Sequence, residues 1–255
     1  MSLPPRLLGA FAKHERAQIH IRALNEALNA YNGANPWLPE KTGDVPEGMV
    51  RIRVRQMPPD EIGLILGDAV HNMRSALDYA TCSLVEFGHQ NVDLSKTQFP
   101  FGVPGKPLTA KEKKALGNIS VHALQMIEEA RRCGGAALEL LRLLSNQDKH
   151  RLLLATVARQ FPMRVQINRE ANTADFVRDD SATDVWFRPL ADGVVIPMPQ
   201  ILNIRLGIEV EGQAAPFVIN SIDQVNSAVR LALHLMATAV DSNEASRHGP
   251  APPPA

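Results

Sequence analysis

Leu140-Leu141-Arg142-Leu143-Leu144-Ser145-Asn146-Gln147-Asp148-Lys149-His150-Arg151-Leu152-Leu153-Leu154 sets a polar belt inside a leucine-rich segment. A helix that is apolar on every side is normally buried. Seven consecutive polar residues, Ser145 to Arg151, would strand charges in a core unless another segment answers them. Two readings of the belt stand side by side. In one, Ser145 or Asn146 caps a fresh helix and Asp148 sits in its first turn, where the dipole favours a carboxylate. In the other, one leucine helix runs over about 136–159 and its belt faces a second polar segment.

Gly67-Asp68-Ala69-Val70-His71-Asn72-Met73-Arg74-Ser75-Ala76-Leu77-Asp78-Tyr79 is the candidate for that second segment. It lies in a helix expected over 61–87, opened by Pro58-Pro59-Asp60 and closed by Gly88. Asp68, His71, Asn72, Ser75, Asp78, Tyr79 and Cys82 recur at steps of three and four, so they form one ridge opposite the apolar stripe. A polar ridge is what any surface helix carries. This one lacks the long Lys and Glu side chains of a solvated face and is built from compact groups. Arg74 stands four residues before Asp78, which makes an intrahelical ion pair available.

The chemistry open to the two segments follows from their residue types. Histidine titrates near neutrality and suits proton transfer; a carboxylate beside it fixes the tautomer. His150 is the candidate acid–base, Asp148 its orienter, with His71, Arg74 and Asp78 completing the catalytic set. Lys149, Arg151, Asn72, Asn146 and Tyr79 are candidate substrate contacts, with guanidinium and ammonium groups suited to phosphate. Such a set needs no metal to cleave RNA, whose 2′-hydroxyl supplies the nucleophile. No cofactor is expected. Asp68, His71, Asp148 and His150 are the ligand set that a metal-dependent hydrolase would use. The alternative to an RNA-directed protein is non-enzymatic, the His/Asp/Arg network giving the fold its specificity while the protein acts by interaction, and the metal-dependent hydrolase is the third reading.

Composition narrows the field. The chain has 255 residues, 45% hydrophobic and 21% charged, with Lys+Arg and Asp+Glu both 27. That is an ordinary globular profile, and its zero formal charge favours no nonspecific nucleic-acid binding. Cys82 and Cys133 match no metal spacing and read as free thiols. No leader and no stretch of membrane-spanning length is evident, so a cytoplasmic protein with no membrane partner is expected.

Further helices are expected over 7–31, 109–132 with a break near Gly117-Asn118, and 221–240. Val50, Ile52 and Val54 alternate with Arg51, Arg53 and Arg55, a half-buried strand with a basic stripe. Strands are also expected at 163–167, 184–187, 194–198, 201–210 and 216–219. The fold class is therefore α+β, a helical bundle packed with an antiparallel β-sheet. One domain is expected over 1–248, with its helical part at 1–160, its strand-rich part at 161–220 and a final helix at 221–240. The proline-rich tail 249–255 reads as disordered.

The two polar segments resemble a pattern of bacterial and phage proteins, in which a stretch similar to His-Asn-Leu-Arg-Ser-Ala-Leu-Asp-His precedes Asn-x-Asp-Lys-His-Arg. The first also resembles the motif of the HEPN superfamily of helical bundles: an arginine, four to six residues, then a histidine. Arg74 matches the arginine, and Tyr79 stands where the histidine is expected. The resemblance implies RNA as partner, metal-independent RNA cleavage or RNA binding, a link to toxin or phage-defence systems, and a homodimer. The tyrosine removes the expected acid–base from this helix and passes that role to His150 or His71.

Overall fold

Helices carry most of the described residues in the computed structural model, which describes residues 4–88, 93–103, 105–117, 119–148, 157–159, 163–168, 173–178, 187–189, 192–198, 206–208, 217–218 and 222–247. The order is α1 (Pro5–Gly33), β1 (Trp37–Glu40), β2 (Met49–Val54), α2 (Asp60–Gly88), α3 (Ala110–Ala115) and α4 (Val121–Asp148). Seven short strands follow: β3 (Val157–Arg159), β4 (Met163–Asn168), β5 (Thr173–Arg178), β6 (Phe187–Pro189), β7 (Val195–Pro197), β8 (Gly207–Ile208) and β9 (Phe217–Val218). The last described element is α5 (Ile222–Arg247). The class is α+β, as the change from helical to alternating periodicity implies. No helix among the described residues is long and apolar enough to cross a membrane.

Contacts divide the chain into two units, one of residues 1–22, 66–150 and 222–255, the other of residues 23–65 and 151–221. In the first, α1 runs antiparallel to α2: Arg6 pairs with Glu86, Gly9 lies against the Tyr79 ring, and His20 faces Asp68. Helix α5 packs on α1 through His14–Asn226 and Phe11–His234, and on α4. The core is a bundle seam of Leu7, Leu66, Met73, Leu77, Ile127, Leu141, Leu144, Val229 and Met236, each less than 2% exposed. The buried stripe of α1 includes Leu7, Ala10, His14, Ala17 and Ile21, recurring at helical spacing. Leu8 and Ile19 are turned outward at 52% and 45% exposure.

The breaks in the helical region follow local chemistry. Thr109 and Glu112 form a reciprocal capping box at the start of α3. Gly117 takes φ +62° between α3 and α4. Gly135 takes φ 43° and ψ −127° inside α4, which kinks it where the Gly134-Gly135 pair predicts a separation.

The second unit holds a three-stranded antiparallel sheet in the order β1-β2-β7. Val50 and Ile52 point into a small core with Ile196, flanked by Trp37 and Val194. Asp192-Gly193 forms a turn, and Asp192 binds the Val54 amide and the Arg53 guanidinium. The basic stripe is largely neutralised: Arg51 pairs with Asp44, and Arg53 with Asp192 and Glu40. The remaining strands form antiparallel pairs, β3 with β6, β4 with β5 and β8 with β9.

Several sequence expectations are corrected. The leucine helix does not extend to 159, because Val157–Arg159 is a strand paired with Phe187–Pro189. Ser145 to Asp148 of the belt form the last described turn of α4. Nor does Ser145 or Asn146 cap a fresh helix, since both are helical. Lys149, His150 and Arg151 lie outside the described residues, as does the tail 249–255. Helix α5 continues to Arg247, seven residues past the expected end at 240. Strands β1 and β5 were not anticipated, and the strand expected at 184–187 is seen at Phe187–Pro189. Of the long strand expected over 201–210, Gly207–Ile208 is described as strand.

Candidate functional site: a polar pocket between α2, α3, α4 and the 96–102 loop

The loop Thr97-Gln98-Phe99-Pro100-Phe101 decides where the site forms. Phe99 is 1% exposed and meets the Phe101 ring edge-on at 5.0 Å. Asp78 of α2 holds this loop, its Oδ1 accepting the Phe99 amide at 2.7 Å while its Oδ2 accepts Arg74 Nε at 3.1 Å. Arg74 Nη2 donates to Gln98 Oε1 at 3.1 Å, and the guanidinium lies 4.4 Å from the Phe101 ring centre. Such a stack is favourable for a guanidinium partly removed from water. The intrahelical Arg74–Asp78 pair expected from spacing is thus also a clamp on a loop two dozen residues downstream.

On the far side Arg131 of α4 does the same work. It is 8% exposed and donates to three carbonyl oxygens, those of Phe101, Val103 and Lys106. Gly102 takes φ +59°, and a Cβ there would overlap the Arg131 guanidinium, so only glycine lets the arginine pass this close.

These clamps frame a cavity of about 280 Å³. Arg74 of α2, Lys96 and Gln98 of the loop, Glu112 of α3, and Arg142 and Asn146 of α4 supply its polar lining. Arg142 is fixed by the two hydrogen bonds it donates to Glu139, at 2.6 and 2.8 Å. Glu112 is committed to Thr109, whose amide and hydroxyl hold its carboxyl below the usual range. Among the described residues, Lys96 is exposed and in no ion pair, and Arg74 Nη1 donates no hydrogen bond. The pocket therefore offers unspent cationic donors. Because Arg74 and Arg142 carry their own carboxylate partners, its field is directional rather than strongly positive.

The candidate residues fall into distinct places. Arg74 and Asn146, one from each polar segment, line this pocket. Asp148 meets the ridge elsewhere: a Cβ on Gly67 would lie 2.5 Å from its Oδ1. Burial pushes the Asp148 carboxyl up, His71 opposes that shift and Asp68 adds to it. Asp68 also lies 3.8 Å from His20 Nδ1. Asp148, Asp68 and His71 are thus close enough to feel one another, yet no group of three metal-ligating side chains with metal geometry occurs among the described residues. Asn72 is buried, and its amide donates to the Asp68 carbonyl at 2.8 Å in its own helix. Tyr79 is 42% exposed, with its ring over Gly9. Cys82 donates to the Thr97 carbonyl at 3.6 Å, and burial pushes its thiol up.

Sequence reasoning missed Lys96, Glu112, Arg131 and Arg142 as parts of the framework. The signal available was the phenylalanine pair at 99 and 101, which had to bury somewhere and would carry its neighbours with it. No protein-family model, curated protein or solved structure matches the chain.

Proposed function

We propose that this protein binds single-stranded RNA, with a backbone phosphate seated in the polar pocket among Arg74, Lys96, Gln98, Arg142 and Asn146. The observation that carries the reading is the convergence of Arg74, the arginine of the HEPN-like segment, and Asn146 of the polar belt on one cavity. Two further features support it. Lys96 and Arg74 Nη1 are unspent donors among the described residues. Arginine on phosphate and amides on phosphate or sugar are common in nucleic-acid interfaces. RNA cleavage is the stronger form of the proposal, with His150 as acid–base and Asp148 as its orienter, and the HEPN resemblance extends it to a homodimer.

Fluorescence anisotropy with a labelled single-stranded RNA tests the binding. Lys96→Ala is expected to weaken it about fivefold to tenfold and to reduce the salt slope by about one phosphate. Adding Asn146→Ala should weaken it further, with melting unchanged because both side chains are exposed. If the double variant binds like the parent chain, the pocket is not the site. Cleavage of the same RNA with EDTA present, lost in His150→Ala, tests the stronger form; light scattering tests the dimer.

A second reading is favoured by the clamp itself. The Arg74–Asp78–Phe99 network immobilises a loop, a structural task that needs no ligand. In that reading the pocket is what the clamp leaves behind, and RNA does not bind.

A further inference from the structure

A second cavity, of about 180 Å³, adjoins the polar pocket along α4. Phe101 lines both. So does the Glu139–Arg142 pair, Glu139 facing the second cavity and Arg142 the first. Glu128 and Arg131 before the Gly135 kink, and Leu138, Arg142 and Asn146 after it, line the two cavities along α4.

The second cavity differs in character. Phe101, Pro107, Gly135 and Leu138 make its apolar wall. The three carbonyl bonds from Arg131 hold the loop side of that wall, so the slot is preformed rather than induced. Glu128 brings a carboxylate to this wall. Glu128 Oε1 is buried and accepts no hydrogen bond, with the Lys113 ammonium 3.6 Å away. The carboxylate is ion-paired with Lys113 yet spends no hydrogen bond on Oε1, so it keeps acceptor capacity for N–H donors.

We infer that this slot takes a guanine base of the RNA strand, stacked against Phe101 and Leu138, with Glu128 accepting from the base edge. This rests on the RNA reading above. Single-stranded RNA is recognised by unstacked bases that lie on aromatic or guanidinium planes and are read along their Watson–Crick edges. Guanine is the base whose edge presents two adjacent N–H donors, at N1 and the 2-amino group. A carboxylate matches that pair, whereas the edges of adenine and uracil each place an acceptor beside a donor. The phosphate beside the base then lies toward Arg142 and Arg74 in the adjoining pocket.

The test compares four labelled RNA octamers, all-uridine and the same strand with one central guanosine, inosine or adenosine. The guanosine octamer is expected to bind about tenfold more tightly than the all-uridine strand. Inosine, which lacks the 2-amino group, should fall between the two, and adenosine should match uridine. Glu128→Gln should erase the guanosine preference while leaving the all-uridine affinity in place. Should that variant fail to fold, the octamer series on the parent chain decides alone. Equal affinity for the guanosine and adenosine octamers, or a preference for adenosine, overturns the guanine assignment and leaves the RNA reading standing. Binding of none of the four overturns both.

Discussion

Replacing Asp78 by alanine isolates the clamp that builds the pocket. Two losses are expected. The Phe99 amide loses its acceptor beside a side chain that is almost fully buried, which costs about 1–2 kcal/mol. Arg74 loses its carboxylate. For a fully buried pair that loss would be about 3–5 kcal/mol. The Asp78 side chain is 29% exposed and Arg74 10%, and Gln98 and Phe101 still hold the guanidinium, so about 1–2 kcal/mol is expected. The total is about 2–4 kcal/mol. Asp78→Asn keeps an oxygen for the Phe99 amide and loses only the charge, so about half that total is expected. Urea unfolding at constant slope measures both variants. Amide hydrogen exchange at Phe99 supplies the local readout: faster in the alanine variant, still protected in the asparagine variant. The reasoning fails if alanine and asparagine destabilise equally, or if alanine lies within about 0.5 kcal/mol of the parent chain.

Two further outcomes follow from the same unit. Gly102→Ala should destabilise by about 2–3 kcal/mol, combining left-handed backbone strain with displacement of Arg131 from its carbonyls; a thermal melt within error of the parent chain would refute it. Burial holds the His14 imidazole below its usual 6.5, against the Asn226 hydrogen bond that raises it. The unfolded chain therefore takes up this proton first as pH falls, so stability is complete above about pH 6.5 and declines below it. His14→Gln should flatten that part of the urea-midpoint profile, and an unchanged slope would show that other groups cause it.

The local punctuation of this chain was readable in advance because it depends on nearby residues. Thr109 marks a helix start, Gly117 and Gly135 mark breaks, and Val50 and Ile52 alternate with arginines. Val157–Arg159, expected as the end of the leucine helix, was misread for a physical reason. Leu152-Leu153-Leu154 and the residues after them form a short apolar run, which periodicity alone cannot assign to helix or strand. Pairing with Phe187–Pro189, some thirty residues on, makes Val157–Arg159 a strand. Strand β5 was passed over because Thr173–Arg178 carries its strand character in its register with Met163–Asn168 rather than in a long alternating pattern.

The candidate site was half legible. That Arg74 could pair with Asp78 follows from helical geometry, and that Asn146 belongs to an unusual polar run is visible by inspection. That Arg74 also holds Gln98 and stacks on Phe101, that Arg131 gathers three carbonyls, and that Asp148 rests on Gly67 were decided only by the tertiary structure. His14 makes the same point, being an isolated histidine in sequence and a buried partner of Asn226 across 212 positions in the fold. By itself the sequence determined the helices of the first unit, the α+β class and the two polar segments, because backbone preference and the period of burial act over a few residues. Which element covers each face, and so which polar group is spent on the fold and which remains for a ligand, depends on contacts between distant residues that no local pattern encodes.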